Sequence, residues 1–201
     1  YGAYCALVYA APVLGGRMAD MFLGYRYAIL LGAVLMSIGE FLILGGNEQF
    51  LLIGMGAIII GNGYFKANIS TIVGKLYKDG DERRDSGFTI FYIGINVGAL
   101  LATTVVAYVG EVYGFKWGFG LAGIFMFFGM LQFHFGQKIF GDIGLSVRER
   151  NEDEIKVKEV NKISQKIVTD RLVVIGIFSF VTIFFWWGFE QAGGSMTIFA
   201  N

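Results

Sequence analysis

The sequence predicts an all-α membrane protein, and three observations carry that expectation. Hydrophobic residues make up 55% of the 201-residue chain and charged residues only 16%, against roughly 25% charged in ordinary soluble domains. Apolar stretches recur at about 2–16, 27–46, 51–75, 87–109, 117–136 and 172–196, and a helix of about twenty such residues crosses a ~30 Å hydrocarbon core. The cationic side chains gather in alternate connections between those stretches. Thirty glycines beside a single proline, Pro12, fit closely packed membrane helices, because small residues let helix backbones approach. Gly94-x-x-x-Gly98 has the spacing of such a contact.

Taken in order, the connections fix an orientation. Arg17 and Arg26 lie between the first two stretches, and Lys75, Lys78, Arg83 and Arg84 between the third and fourth. Lys138, Arg148, Arg150, Lys156, Lys158, Lys162, Lys166 and Arg171 fill the connection between the fifth and sixth, whereas the opposite side carries only Lys116. The positive-inside rule therefore places loops 17–26, 76–86 and 137–170 in the cytoplasm, with the first stretch running from outside to inside. The mixed charges and scattered Ile155, Val157, Val160, Ile163 and Ile167 read as a partly amphipathic linker.

Several function classes drop out. A formal net charge of zero gives no electrostatic case for nucleic acid, and the lone Cys5 excludes an internal disulfide. No His/Cys/Asp cluster of metal-ligand spacing and no Ser-His constellation stands out, so no catalytic residue, metal or cofactor is expected. Gly61-x-Gly63 lies inside an apolar stretch rather than after a soluble strand, so it is not a phosphate loop.

What remains is charge inside the apolar stretches: Glu40, Lys66 and Glu190. Such residues cost about 2.5–3.5 kcal/mol at a helix centre on insertion scales and usually face a cavity or pathway. At ~1.5 Å rise per residue, Tyr9, Lys66 and Asn96 fall roughly 12–15 Å from the cytoplasmic boundary, near the bilayer middle. Three polar groups at one depth on three helices point to a shared cavity. The plainer alternative makes Tyr9 a packed aromatic and Asn96 an interhelical hydrogen bonder. Glu190 follows the aromatic run Phe184 to Trp187. It comes level with Lys66 only if its helix extends into the cytoplasm ahead of Arg171. Glu40 has an interfacial or packing role as its even alternative. In the first cytoplasmic loop, Gly16 and Gly24 permit a tight turn. There Asp20 is expected to pair with Arg17 or Arg26, a contact that can hold one conformation closed.

With these residues in view, the chain resembles the proton-dependent oligopeptide transporter family of the major facilitator superfamily. The loop Gly16 to Arg26 is similar to the superfamily's helix 2–3 motif. Gly61-Asn62-Gly63-Tyr64-Phe65-Lys66-Ala67-Asn68-Ile69-Ser70 resembles the fourth-helix signature. Phe91-Tyr92-Ile93-Gly94-Ile95-Asn96-Val97-Gly98-Ala99 resembles the fifth, and Phe189-Glu190-Gln191 the seventh-helix glutamate motif.

The resemblance implies twelve helices in two six-helix bundles, this chain covering most of helix 2 through helix 7. Residues 1–136 would then be helices 2–6 of the N-terminal bundle, 137–170 the linker, and 171–201 a truncated first helix of the C-terminal bundle. It further implies proton-coupled import of di- and tripeptides by alternating access across the plasma or inner membrane, with protons as the coupling ion and no cofactor. Tyr9, Lys66, Asn96, Trp186 and Glu190 would bind substrate, with Lys66 and Glu190 in proton coupling. Gly16, Asp20, Gly24 and Arg26 would form the gating loop. The family pattern assigns nothing to Glu40. Another small anionic solute such as nitrate, or a non-transporting scaffold or receptor, stands as the alternative.

Overall fold

The computed structural model describes residues 2–78, 80–145 and 165–190. Among them are seven α-helices: α1 (Gly2–Met18), α2 (Gly24–Ile43), α3 (Glu48–Lys75), α4 (Arg83–Leu101), α5 (Ala107–Tyr113), α6 (Phe115–Gly136) and α7 (Gln165–Glu190). Five helical runs are long and apolar enough to cross a membrane. The chain divides into two units, Tyr1–Arg150 and Asn151–Asn201.

The first of those runs, Gly2–Ile43, has 42 residues, about twice the length that a ~30 Å core needs. Its contacts with α3 show that it turns back. Val8 meets Asn62 and Gly16 meets Ala67, so α1 runs parallel to α3. Tyr25 meets Lys75, Gly32 meets Phe65 and Gly39 meets Ile58, so α2 runs antiparallel to it. The reversal falls on a π-helical turn, Ala19–Leu23, closed by Gly24 at φ 74°, a left-handed value that glycine adopts without a Cβ penalty. The two separate spans read from the sequence are therefore both present. After Gly46, α3 starts under a cap in which the Asn47 side chain accepts from the Phe50 N–H at 2.8 Å, filling one of the donors a helix start leaves open. A second π-helical turn, Ala102–Val106, joins α4 to α5 in one 31-residue run.

In a bilayer, hiding an apolar side chain from lipid gains little, so close backbone approach and buried hydrogen bonds hold the helices together. Glycines make that approach along both faces of α3. A Cβ at Gly32 would lie 2.6 Å from the Gly61 carbonyl oxygen, and one at Gly39 would lie 2.6 Å from that of Gly54. Gly15 packs directly on the Gly63 carbonyl. The expected Gly94-x-x-x-Gly98 contact is not among these seams: a Cβ at either position would meet nothing within 4 Å. Both glycines instead line a cavity, because α4 stands off from α3 and buries none of its residues.

The best-buried cluster sits at the end of the unit that carries Arg26. Ala19, Tyr25, Ala28, Ile29 and Ile72 form it, with Phe133 and Phe140 packed against it. Elsewhere large apolar side chains such as Ile90, Phe128 and Leu100 are exposed, as lipid-facing residues are. The α7 helix begins at Gln165, ahead of Arg171, and its apolar residues from Leu172 to Phe189 are exposed.

Candidate functional site

The Lys66 ammonium lies over the Tyr9 ring, 4.7 Å from its centroid. A cation above an aromatic face gains about 0.5–2 kcal/mol, so this pairing orients the lysine between α1 and α3. Asn62, one helical turn earlier on α3, donates from Nδ2 to the Val8 carbonyl at 2.9 Å. That bond fixes the α1 backbone next to Tyr9 and so sets the height at which the ring meets Lys66. Among the described residues no carboxylate lies within ion-pair distance of Lys66. An ammonium with three donors and no counter-ion among the described residues is suited to an incoming carboxylate.

The structure brings Tyr9 and Lys66 into contact, whereas the Asn96 amide is turned to its own helix. Its Nδ2 donates to the Tyr92 carbonyl of its own helix at 2.8 Å, and among the described residues it makes no hydrogen bond to Tyr9 or Lys66. In α7, Trp186 packs edge-on against Phe185 and Phe189 with centroids 5.6 and 5.3 Å away. Glu190 ends α7, and its side chain falls outside the described residues. Asn62 was quoted in the fourth-helix signature but not singled out. An amide one turn from an intramembrane lysine was the available signal.

The loop motif divides into two arrangements. Asp20 accepts from the Tyr25 hydroxyl at 2.6 Å, and Lys75 reaches that same hydroxyl at 3.1 Å while sitting over the ring. The ion pair expected between Asp20 and Arg17 or Arg26 is thus replaced by a phenol bridge to the end of α3. Arg26 is buried and turned the other way. Its Nε donates to the Ile143 carbonyl at 2.6 Å, Nη2 donates to the Gly141 carbonyl, and its backbone N–H donates to the Gly144 carbonyl at 3.1 Å. The guanidinium also faces the Phe140 ring at 5.9 Å. Arg26 therefore fastens the turn that follows α6 onto the start of α2.

The cavity between α2, α3, α4 and α6 has a volume of about 1030 Å³ and is lined mainly by apolar groups such as Phe65, Leu101, Met126 and Phe133. Glu40 also lines it, and one of its carboxylate oxygens is buried without a hydrogen-bond partner among the described residues. On the loop before α4, the Arg83 guanidinium grips Asp81 through contacts of 2.8 and 3.0 Å, and the Arg83 N–H donates to it as well. The guanidinium hydrogen bond, with the backbone one behind it, holds the Asp81 carboxyl down at about 2.

Membrane-length helices packed through glycine seams, with a lysine set over a tyrosine between two of them, belong to a class: multi-pass membrane proteins of the major facilitator fold. Residues 26–148 match the family model described as POT family, and the chain belongs to that family. The resemblance read from its helix motifs is borne out. It is 40% identical over 136 residues to the peptide transporter YePEPT of Yersinia enterocolitica, covering 66% of this chain and 26% of the relative. It is 37% identical over 126 residues to dipeptide and tripeptide permease B of Aliivibrio fischeri, covering 62% of this chain and 26% of that protein. A crystal structure of a POT peptide transporter bound to alafosfalin superposes with a TM-score of 0.70 at 39% identity, over 87% of this chain and 36% of the other. A POT family transporter bound to 5-aminolevulinic acid gives 0.68 at 35% identity, over 90% of this chain and 37% of the other. The chain spans about a quarter of the length of these curated relatives. All of them are transporters, and the chain is not an enzyme.

Proposed function

We propose that the complete protein is a proton-coupled symporter that imports di- and tripeptides across the cell membrane by alternating access. The observation that carries the reading is Lys66, oriented by Tyr9 and free of any carboxylate among the described residues, in a chain whose relatives bear the names of peptide transporters. Lys66 attracts the peptide's terminal carboxylate, Tyr9 and Asn96 supply hydrogen bonds to its polar groups, and Trp186 lines the site. Glu190 takes up and releases the proton and contacts substrate, and Lys66 takes part in the coupling. No cofactor takes part.

Residues 1–136 belong to one rocking bundle, 137–170 to the linker and 171–201 to the other bundle. Loops 17–26, 76–86 and 137–170 face the cytoplasm of the plasma or inner membrane. There Gly16, Asp20, Gly24 and Arg26 act as the gate, with the contacts of Asp20 and Arg26 closing one conformation.

The test is uptake of labelled dialanine by the full-length protein in liposomes, with and without an inward proton gradient. Gradient-stimulated uptake is expected, abolished by Lys66→Ala. Glu190→Gln is expected to lose the stimulation while retaining exchange of peptide across the membrane. Normal gradient-driven uptake by Lys66→Ala would overturn the assigned role. A second reading, another small carboxylate-bearing solute, is favoured by the neighbour bound to 5-aminolevulinic acid. It gains ground if dialanine is ignored in folded protein and a small organic anion is carried.

A further inference from the structure

A second, smaller recess lies at the boundary end of the same unit, where α3 ends and α4 begins. Its volume is about 540 Å³, and Ser70, Lys75, Tyr77, Lys78, Arg84 and Phe88 are among the residues that line it. Three of those side chains are cationic, and no carboxylate is among its described lining residues. Of the acidic groups on the connecting loop, Asp81 is already committed to Arg83, Glu82 is not among the lining residues, and Asp79 lies outside the described residues. Lys75 is engaged with Tyr25, so it contributes charge from the wall. Lys78 and Arg84 have no ion-pair partner among the described residues.

The shape of the recess is built rather than incidental. Gly74 leaves the α3 surface open, and a Cβ there would come within 3.3 Å of the Phe88 ring and 3.4 Å of Arg84 Nη2. Tyr77 packs directly on Gly87, which holds the end of α3 against the first turns of α4 and turns the phenol toward the recess. Ser70 spends its hydroxyl proton on a long 3.4 Å contact to the Lys66 carbonyl, a bond that a stronger acceptor displaces readily. Converging ammonium, guanidinium and hydroxyl donors beside two aromatic rings at the end of two membrane-length helices form a receptor for a phosphate oxyanion with an apolar continuation. Phosphate takes charge-assisted hydrogen bonds from such groups, and cationic pockets between transmembrane helices bind acidic lipid head groups.

We propose that this recess binds the phosphate group of an anionic phospholipid from the surrounding leaflet, with free phosphate as the other source of the same chemistry. The proposal is independent of the transport assignment, since it involves neither Lys66 nor Glu190. The full-length protein in neutral detergent is titrated with phosphatidylglycerol, phosphatidylcholine and inorganic phosphate, with binding read by native mass spectrometry. Phosphatidylglycerol is expected to bind in preference to phosphatidylcholine. Lys78→Gln and Arg84→Gln are each expected to weaken it roughly fivefold, and the pair together roughly twenty-five-fold. Arg84→Lys should restore most of the loss from Arg84→Gln, and thermal melting confirms that each variant is folded. Inorganic phosphate that binds and is lost in the double variant, with no lipid preference, assigns the site to the soluble source. Binding of phosphatidylglycerol unchanged in a folded double variant, or no binding of either phosphate species, overturns the proposal.

Discussion

The two sides of α3 and the run formed by α4 and α5 are built from similar residues and behave differently. On α3, glycines at 54, 61 and 63 meet glycines at 39, 32 and 15 or their flanking residues so closely that a methyl group would collide with backbone. On α4, Gly94 and Gly98 meet no atom within 4 Å, no residue is buried, and the helix borders an open cavity. Small residues therefore permit close approach without producing it. The difference lies in what faces them, and the closely packed side is also the one that carries the Lys66–Tyr9 pairing and the Asn62 bond.

The most severe way to break this contrast is Gly15→Leu, which drives a side chain into the Gly63 carbonyl. It is expected to cost about 3 kcal/mol, seen as a large fall in melting temperature and in folded yield in detergent. Arg26→Ala comes next, removing the side-chain donors on Gly141 and Ile143. A loss of about 2 kcal/mol is expected, only partly recovered by Arg26→Lys because lysine lacks the planar fork. Gly94→Ala should act in the opposite sense, stabilising by up to about 1 kcal/mol through helix propensity. A large destabilisation by Gly94→Ala in the full-length protein would show that a further element packs on that face.

The smallest effect belongs to Asp81. Its carboxyl is held at about 2, below the ordinary 3.8. A depressed carboxylate contributes fully above the ordinary value and loses its contribution as pH falls through that held in the fold. Amide protection at the first turn of α4, taken relative to intrinsic exchange, should therefore fall between pH 4 and about 2, and Asp81→Asn should show no such change.

Much of this was legible in the sequence. The helices followed from apolar length, and Tyr9 and Lys66 were placed at one level by counting residues from the boundary. Rotation about each helix axis was not legible. In a soluble helix the apolar stripe marks the inward face, but here lipid and neighbouring helices are both apolar, so the stripe disappears. That is why the Gly94–Gly98 spacing reads as a helix contact although nothing packs on either glycine within 4 Å. Arg26 was placed in the loop motif, but its partners were not legible: they are main-chain carbonyls 115 and 117 residues away, and a carbonyl leaves no mark in a sequence.

That last point bears on which substitutions the chain tolerates. Because Arg26 grips carbonyls rather than side chains, the residue at 143 is free to vary in size and polarity without loosening the hold. The restrictions fall on the path of the chain. Gly141 and Gly144 have φ of 53° and 84°, and a Cβ at 144 would press on Arg26 and Ile72 at 3.2–3.3 Å. A library randomised across 141–144 should thus return glycine at its first and last positions and a broad mixture at 143.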